Sequence, residues 1–237
     1  NAGTSVDAVL SANFGNTWIS AEFEGMNNHE EVARRIAANP QARAFSSHTA
    51  QFPLPVVEGI TVLPIVFLRH PLDRLLSAYC FERKQVSDSF GAKLANTTDF
   101  AGYVRARLDL PNDRQCRNFQ ATRLARFIPG PRISEMDRAL ETVMTLPFVG
   151  LVEDFDGSAA RMESWLKPHF PEFKAFTARK NVSASRETTM EQRLERMRAG
   201  LGEALYAELL DANLKDLCLH HAAGLRVKEL APQPAPA

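Results

Sequence analysis

The stretch that most constrains this chain is Pro64-Ile65-Val66-Phe67-Leu68-Arg69-His70-Pro71. Four consecutive apolar residues, rich in β-branched and aromatic side chains, are too few for a buried helix and lack the alternation of a half-exposed strand. They read as a strand covered on both faces, the pattern of a central parallel strand. Pro64 is tolerable only at the start of such a strand, and Pro71 suits the first position of a helix, where its missing N–H costs nothing. Beyond it Leu72, Leu75, Leu76, Tyr79 and Cys80 recur on one helical face, which predicts a helix over 71–84. A strand passing directly into a helix sets the expectation of an α/β fold, a central parallel sheet flanked by helices.

Other segments extend that pattern. Phe148–Val152 is a second all-apolar strand, and Ala44–Ser47 a weaker third that ends at His48. Glu30–Ala38 reads as a helix stopped by Asn39-Pro40. Ser134 with Asp137, and Thr188 with Glu191, resemble N-terminal caps ahead of the series Met136/Leu140/Val143 and Met190/Leu194/Met197/Leu201. Leu205–His221 is expected to be one helix with Leu210, Leu214 and Leu217 inward and His220-His221 at its end, separated from its predecessor by Gly200 and Gly202. Gly3-Thr4-Ser5 reads as a glycine turn opening a helix, whose first amides and dipole favour an anion. Ligands of open parallel sheets collect beyond the carboxyl ends of the strands, which singles out His48, Arg69 and Glu153.

The chain has 237 residues, 45% hydrophobic and 24% charged. That fits one folded domain over 1–230 with a flexible Pro/Ala tail over 231–237, and excludes a disordered or collagen-like chain. Lysine plus arginine and aspartate plus glutamate each total 28, so the basic excess of a general nucleic-acid or membrane-surface binder is missing. Within 105–132, however, seven arginines stand against two aspartates, and guanidinium forks suit carboxylate or sulfate groups. Cys80, Cys116 and Cys218 are widely spaced, so neither a disulfide framework nor a metal site is expected. Apolar runs fall well short of the roughly 20 residues of a membrane span. A bacterial cytoplasmic protein is expected, with a Golgi-lumenal domain freed from its anchor as the alternative.

The array Arg69-x-Pro71-x-x-Arg74-x-x-Ser77-x-Tyr79, following an apolar strand, resembles the 3′-phosphate-binding signature of sulfotransferases that use 3′-phosphoadenosine 5′-phosphosulfate. Asn1–Ser5 resembles the end of that family's 5′-phosphosulfate loop, and Asn118–Leu124 is similar to a segment of its carbohydrate-type members. Phe148–Ser158 resembles their strand-to-helix segment, and Lys180-Asn181-Val182-Ser183 a late element near the nucleotide. The resemblance implies a P-loop NTPase-like sulfotransferase fold and a carbohydrate O-sulfotransferase. Its cofactor would be 3′-phosphoadenosine 5′-phosphosulfate, released as adenosine 3′,5′-bisphosphate, without a metal. Ala2, Gly3, Thr4 and Ser5 would meet the phosphosulfate, Arg69 and Ser77 the 3′-phosphate, and Lys180, Asn181 and Ser183 the nucleotide. The family's lysine would stand immediately before Asn1, with its first strand earlier still.

In this chemistry an acceptor hydroxyl attacks sulfur in line as the bond to the leaving phosphate breaks, which calls for a base on one side and positive charge on the other. Ser47-His48 resembles the histidine-bearing segment of uronyl-type members. His48 is therefore the expected base, with Glu22, Glu24 and His29 as alternatives, while Arg117, Asn118 and Arg123 are assigned to the acceptor, an acidic glycan among the candidates. Arg74 is expected to pair with a carboxylate and His70 to shape the turn before Pro71. A kinase-like P-loop enzyme is the second reading, against which stands the lack of G-x-x-x-x-G-K-[ST]. A catalytically silent glycan- or nucleotide-binding relative is the third.

Overall fold

In the computed structural model, residues 1–25, 27–130, 133–176 and 189–229 are described. The elements follow in the order α1 (Gly3–Phe14), β1 (Trp18–Ser20), α2 (His29–Ala37), β2 (Ala44–Ser46), β3 (Val66–Leu68), α3 (Pro71–Glu82), α4 (Phe90–Thr97), α5 (Phe100–Leu108), α6 (Phe119–Leu124), α7 (Glu135–Thr145), β4 (Val149–Leu151), α8 (Phe155–Leu166), α9 (Met190–Leu201), α10 (Glu203–Asp211) and α11 (Leu214–Glu229). The chain divides into two compact units. The first comprises Asn1–Leu68, Thr122–Asn181 and His221–Ala237, the second Arg69–Ala121 and Val182–His220. The 231–237 tail lies outside the described residues.

The first unit is mixed α/β. β1 pairs in parallel with β2, Trp18 opposite Ala44 and Ser20 opposite Ser46, and β3 pairs in parallel with β4, Val66 opposite Val149 and Leu68 opposite Leu151. The parallel pairing expected of the apolar runs is observed. Among the described residues, though, it takes the form of two two-stranded sheets, and a single central sheet is not seen. Val9, Leu10, Phe67, Phe148, Met162, Leu166 and Phe173 form the core around β3 and β4. Gly150 is required there: a Cβ at this position would lie 2.5 Å from Cε1 of Phe67, whose ring covers the strand.

The second unit is helical in its described residues. The predicted stripe of α3 buries Leu72, Leu75 and Tyr79 against Tyr103, Val104 and Leu108 of α5, Met197 and Leu201 of α9, and Leu205 and Leu209 of α10. Cys80 is exposed rather than part of that stripe. α9 starts at a capping box formed by Thr189 and Gln192, one residue later than the Thr188/Glu191 pairing expected; Thr188 lies outside the described residues. Gly202, at φ 76°, ends α9 and begins α10, as its freedom at positive φ allows.

The single helix expected over 205–221 is broken in two, so His220 and His221 lie inside α11 rather than at a helix end. Leu214 is exposed, and Leu209 and Leu219 are buried instead. The reason is Asn213, whose side-chain amide donates to the carbonyls of Cys116 (2.7 Å) and Leu209 (2.8 Å) and accepts from the Asn118 amide (3.2 Å). Arg74 is buried, donates to the Gln115 side-chain carbonyl at 3.3 Å and interacts electrostatically with the Asp216 carboxylate, with its guanidinium 4.3 Å from the Phe119 ring centre. The His70 ring packs edge-on to His220 at 5.6 Å.

The Asn118 carboxamide accepts from the amides of Lys215 (3.0 Å) and Asp216 (3.3 Å) in the first turn of α11. In return, Asp216 accepts from the amides of Gln120 (3.0 Å) and Ala121 (2.7 Å) in α6. Burial pushes the Asp216 carboxyl above its ordinary range, against the pull of those two amides. Asn118 itself sits at φ 44°. Asn118→Gly is expected to lower the unfolding free energy by about 1–3 kcal/mol through the lost cap. Asn118→Ala should cost about 1 kcal/mol more, because alanine resists positive φ. Urea unfolding midpoints of the two variants check the order.

Candidate functional site

In the first unit the turn at the start of α1 and the carboxyl ends of β2 and β3 meet. Ala2, at φ 54°, precedes α1 and accepts from the amides of Ser5 and Val6 at 3.0 and 2.9 Å. The Asn1 side chain donates to the Phe67 carbonyl in β3 at 3.0 Å. His48, two residues past β2, brings its Nε2 against the same turn: a Cβ built on Gly3 would lie 3.0 Å from that nitrogen. Only glycine gives the ring this close an approach to the backbone.

The other ring nitrogen is held. Nδ1 of His48 is 2.9 Å from Oε1 of Glu22, and the His48 amide donates to the same carboxylate at 3.1 and 3.2 Å. Thr49 Oγ1 and Ser47 Oγ donate to Oε2 at 2.8 and 3.3 Å. Partial burial pushes the Glu22 carboxyl upward, but the hydrogen bonds from His48 and Thr49 outweigh it and hold the group below the usual carboxylate range. A carboxylate fixed on Nδ1 sets the tautomer in which Nε2 can accept a proton. Glu22, expected only as an alternative base, is the partner that orients His48. Neither Glu24, which is exposed, nor His29, at the first position of α2, belongs to this arrangement. Glu22 also lines an open cleft of about 470 Å³, together with Ser20, Phe23, Glu31, Arg34 and Arg35.

In the second unit, Arg69 Nε donates to Oδ2 of Asp73 at 2.6 Å, and Arg193 Nε donates to Oδ1 of the same carboxylate at 3.1 Å. Gln120 brackets the Arg69 backbone, accepting its N–H at 3.0 Å and donating to its carbonyl at 2.8 Å. Ser77 is half-buried on α3, one turn beyond Asp73 on the same face. Asp73 and Arg193 were not singled out from the sequence. The i, i+4 spacing of Arg69 and Asp73 was a signal for the first, whereas nothing local marks an arginine 120 residues away.

The remaining candidates have varied surroundings. Lys180, Asn181 and Ser183 lie outside the described residues. Arg117 donates to the Leu108 carbonyl at the end of α5, and Asn118 caps α11, so both are engaged within the fold. Burial, reinforced by the nearby Arg126, pushes the half-buried Arg123 guanidinium down, and Arg126 donates to the Gln51 carboxamide at 2.9 Å. Much of the arginine-rich segment is satisfied internally: Arg105 pairs with Glu208 at 2.7 Å, and Arg107 with Asp113 and Glu82 at 2.6 and 2.9 Å. Glu153 is exposed two residues past β4. Among the described residues no helix is long and apolar enough to cross a membrane.

An uncharacterized protein of Archaeoglobus fulgidus is 40% identical to this chain over 229 residues, covering 92% of this chain and 90% of its own length. No family model matches the chain. No solved structure matches it either.

Proposed function

The chain belongs to one family with the Archaeoglobus fulgidus protein, and we propose that it is a sulfotransferase that moves a sulfuryl group from 3′-phosphoadenosine 5′-phosphosulfate to a carbohydrate hydroxyl. The observation that carries this reading is the His48–Glu22 pair set against the Gly3 turn, with Nδ1 held at 2.9 Å and Nε2 turned to the start of α1. A base directed at an anion-favouring helix start is what transfer from a phosphosulfate to a hydroxyl requires. The bareness of Gly3 fits such a group, since any side chain there would fill the space in front of Nε2.

The bound cofactor supplies the sulfuryl group and a phosphate as leaving group. Nε2 of His48 takes the proton of the acceptor hydroxyl, and the charge that develops on the imidazole is stabilised by Glu22, which is already ionised. The amides of Gly3 and Thr4, at the first positions of α1, offer donors to the phosphosulfate oxygens. In the second unit, Arg69 and Ser77 are assigned to the 3′-phosphate, for which an arginine fork and a hydroxyl are suited. The cleft bordered by Glu22 has the volume of a sugar-sized ligand site.

Two measurements test the reading. Adenosine 3′,5′-bisphosphate at about 100 times its Kd is expected to stabilise the protein by ~2.7 kcal/mol, while ATP at the same concentration does little. Labelled sulfate from the cofactor should appear on at least one member of a panel of polysaccharides. Stabilisation by ATP and not by the bisphosphate would turn the assignment toward a kinase-like enzyme. Bisphosphate binding without transfer would leave a silent relative.

A further inference from the structure

We infer that Arg193 is a positioning residue for the nucleotide's 3′-phosphate, acting through Asp73, an inference that rests on the sulfotransferase reading. The starting point is an electrostatic problem at Arg69. Its Nε is bound at 2.6 Å to Asp73, a carboxylate whose side chain is only 8% exposed. Left to that pairing alone, the two charges cancel, and a phosphate approaching Arg69 meets a buried carboxylate one helical turn away. Ser77, one turn further along the same face of α3, would share that unfavourable neighbour.

Arg193 removes the difficulty. It reaches the other carboxylate oxygen at 3.1 Å from α9, and its own side chain is 19% exposed against 16% for Arg69. Two guanidiniums share one carboxylate, one on each oxygen. Asp73 then orients the Arg69 fork without neutralising it, since its second oxygen answers to Arg193. The placement is firm at both ends: Gln120 brackets the Arg69 backbone, and Arg193 follows directly on the Thr189/Gln192 capping box. All of these groups lie in the second unit.

The test compares binding of adenosine 3′,5′-bisphosphate and adenosine 5′-phosphate by calorimetry, because their affinity ratio isolates the 3′-phosphate. Arg193→Gln is expected to lower that ratio roughly ten- to a hundredfold, the range of one charge-assisted interaction. Arg193→Lys should retain most of it. The double variant Asp73→Asn/Arg193→Gln should recover the ratio, since asparagine still accepts from Arg69 but no longer opposes the phosphate. A structural role for Arg193 predicts instead an unchanged ratio with a lowered unfolding midpoint, and that result overturns the inference alone. Wild-type protein that does not distinguish the two nucleotides overturns the sulfotransferase reading and this inference with it.

Discussion

Arg107→Ala is expected to destabilise the second unit by about 3–5 kcal/mol, the cost of leaving buried charge uncompensated. The Arg107 side chain is 7% exposed and binds Asp113 at 2.6 Å and Glu82 at 2.9 Å, themselves 12% and 16% exposed. Burial alone would push its guanidinium down, but Tyr103, Asp113 and Glu82 hold it above the ordinary arginine range. The Tyr103 hydroxyl donates to Glu82 at 2.7 Å, and burial together with that bond pushes the phenol upward. Truncating Arg107 therefore strands two carboxylates at once. Replacing all three charged members by apolar residues of similar volume should cost far less, because the desolvation penalty leaves with the charges. Cys116 provides the readout. It is fully buried and its thiol is pushed up to about 12, whereas Cys80 and Cys218 are exposed. In native protein a thiol reagent should modify those two at once and Cys116 only through opening of the unit. Arg107→Ala should speed Cys116 labelling by roughly two to three and a half orders of magnitude, the equilibrium equivalent of that energy. Labelling at the wild-type rate would show that the pairings around Arg107 carry no net stability.

That network also explains why the basic segment misleads when read as a string. Arg105, Arg107 and Arg117 look like forks awaiting an acidic partner, yet they find Glu208, Glu82 with Asp113, and the Leu108 carbonyl, 6 to 103 residues away. Local pattern serves where burial alone decides. The apolar runs at 65–68 and 148–152 contain β3 and β4, Pro71 and the leucine stripe mark α3, and Ser134 caps α7 by accepting from the Asp137 amide. β1 escapes because Trp18–Ser20 is too short for alternation to show, and only its pairing with β2 makes it a strand. α4 and α5 carried readable signals in Ser89 and Asp99, whose side chains accept from Ala92 and Gly102. The break before α11 was illegible because Asn213 satisfies Cys116, a partner 97 residues away. The candidate site shows the same division: His48 stood out as a residue past a strand end, while its partnership with Glu22, 26 residues earlier, exists only once β1 and β2 are paired.

His48→Ala should lower kcat for sulfate transfer by about 10²–10⁴-fold, the contribution of a positioned general base, while leaving the affinity for adenosine 3′,5′-bisphosphate unchanged. The variant is a clean probe because the His48 side chain is 65% exposed, so its removal empties no core volume. Glu22→Gln should produce a smaller loss in kcat, with KM for the cofactor little altered, because the carboxamide can accept from Nδ1 but carries no charge to stabilise an imidazolium. The acid side of the pH profile separates the two roles. Glu22 is held below the usual carboxylate range, so its support of His48 is complete above that range and is lost only as pH falls through the lowered value. An acid limb nearer neutrality therefore does not report Glu22, and Glu22→Gln should reduce the plateau without removing the limb. An undiminished kcat in His48→Ala would move the base elsewhere. A limb abolished by Glu22→Gln while His48→Ala retained it would reverse the assignment of base and orienting partner.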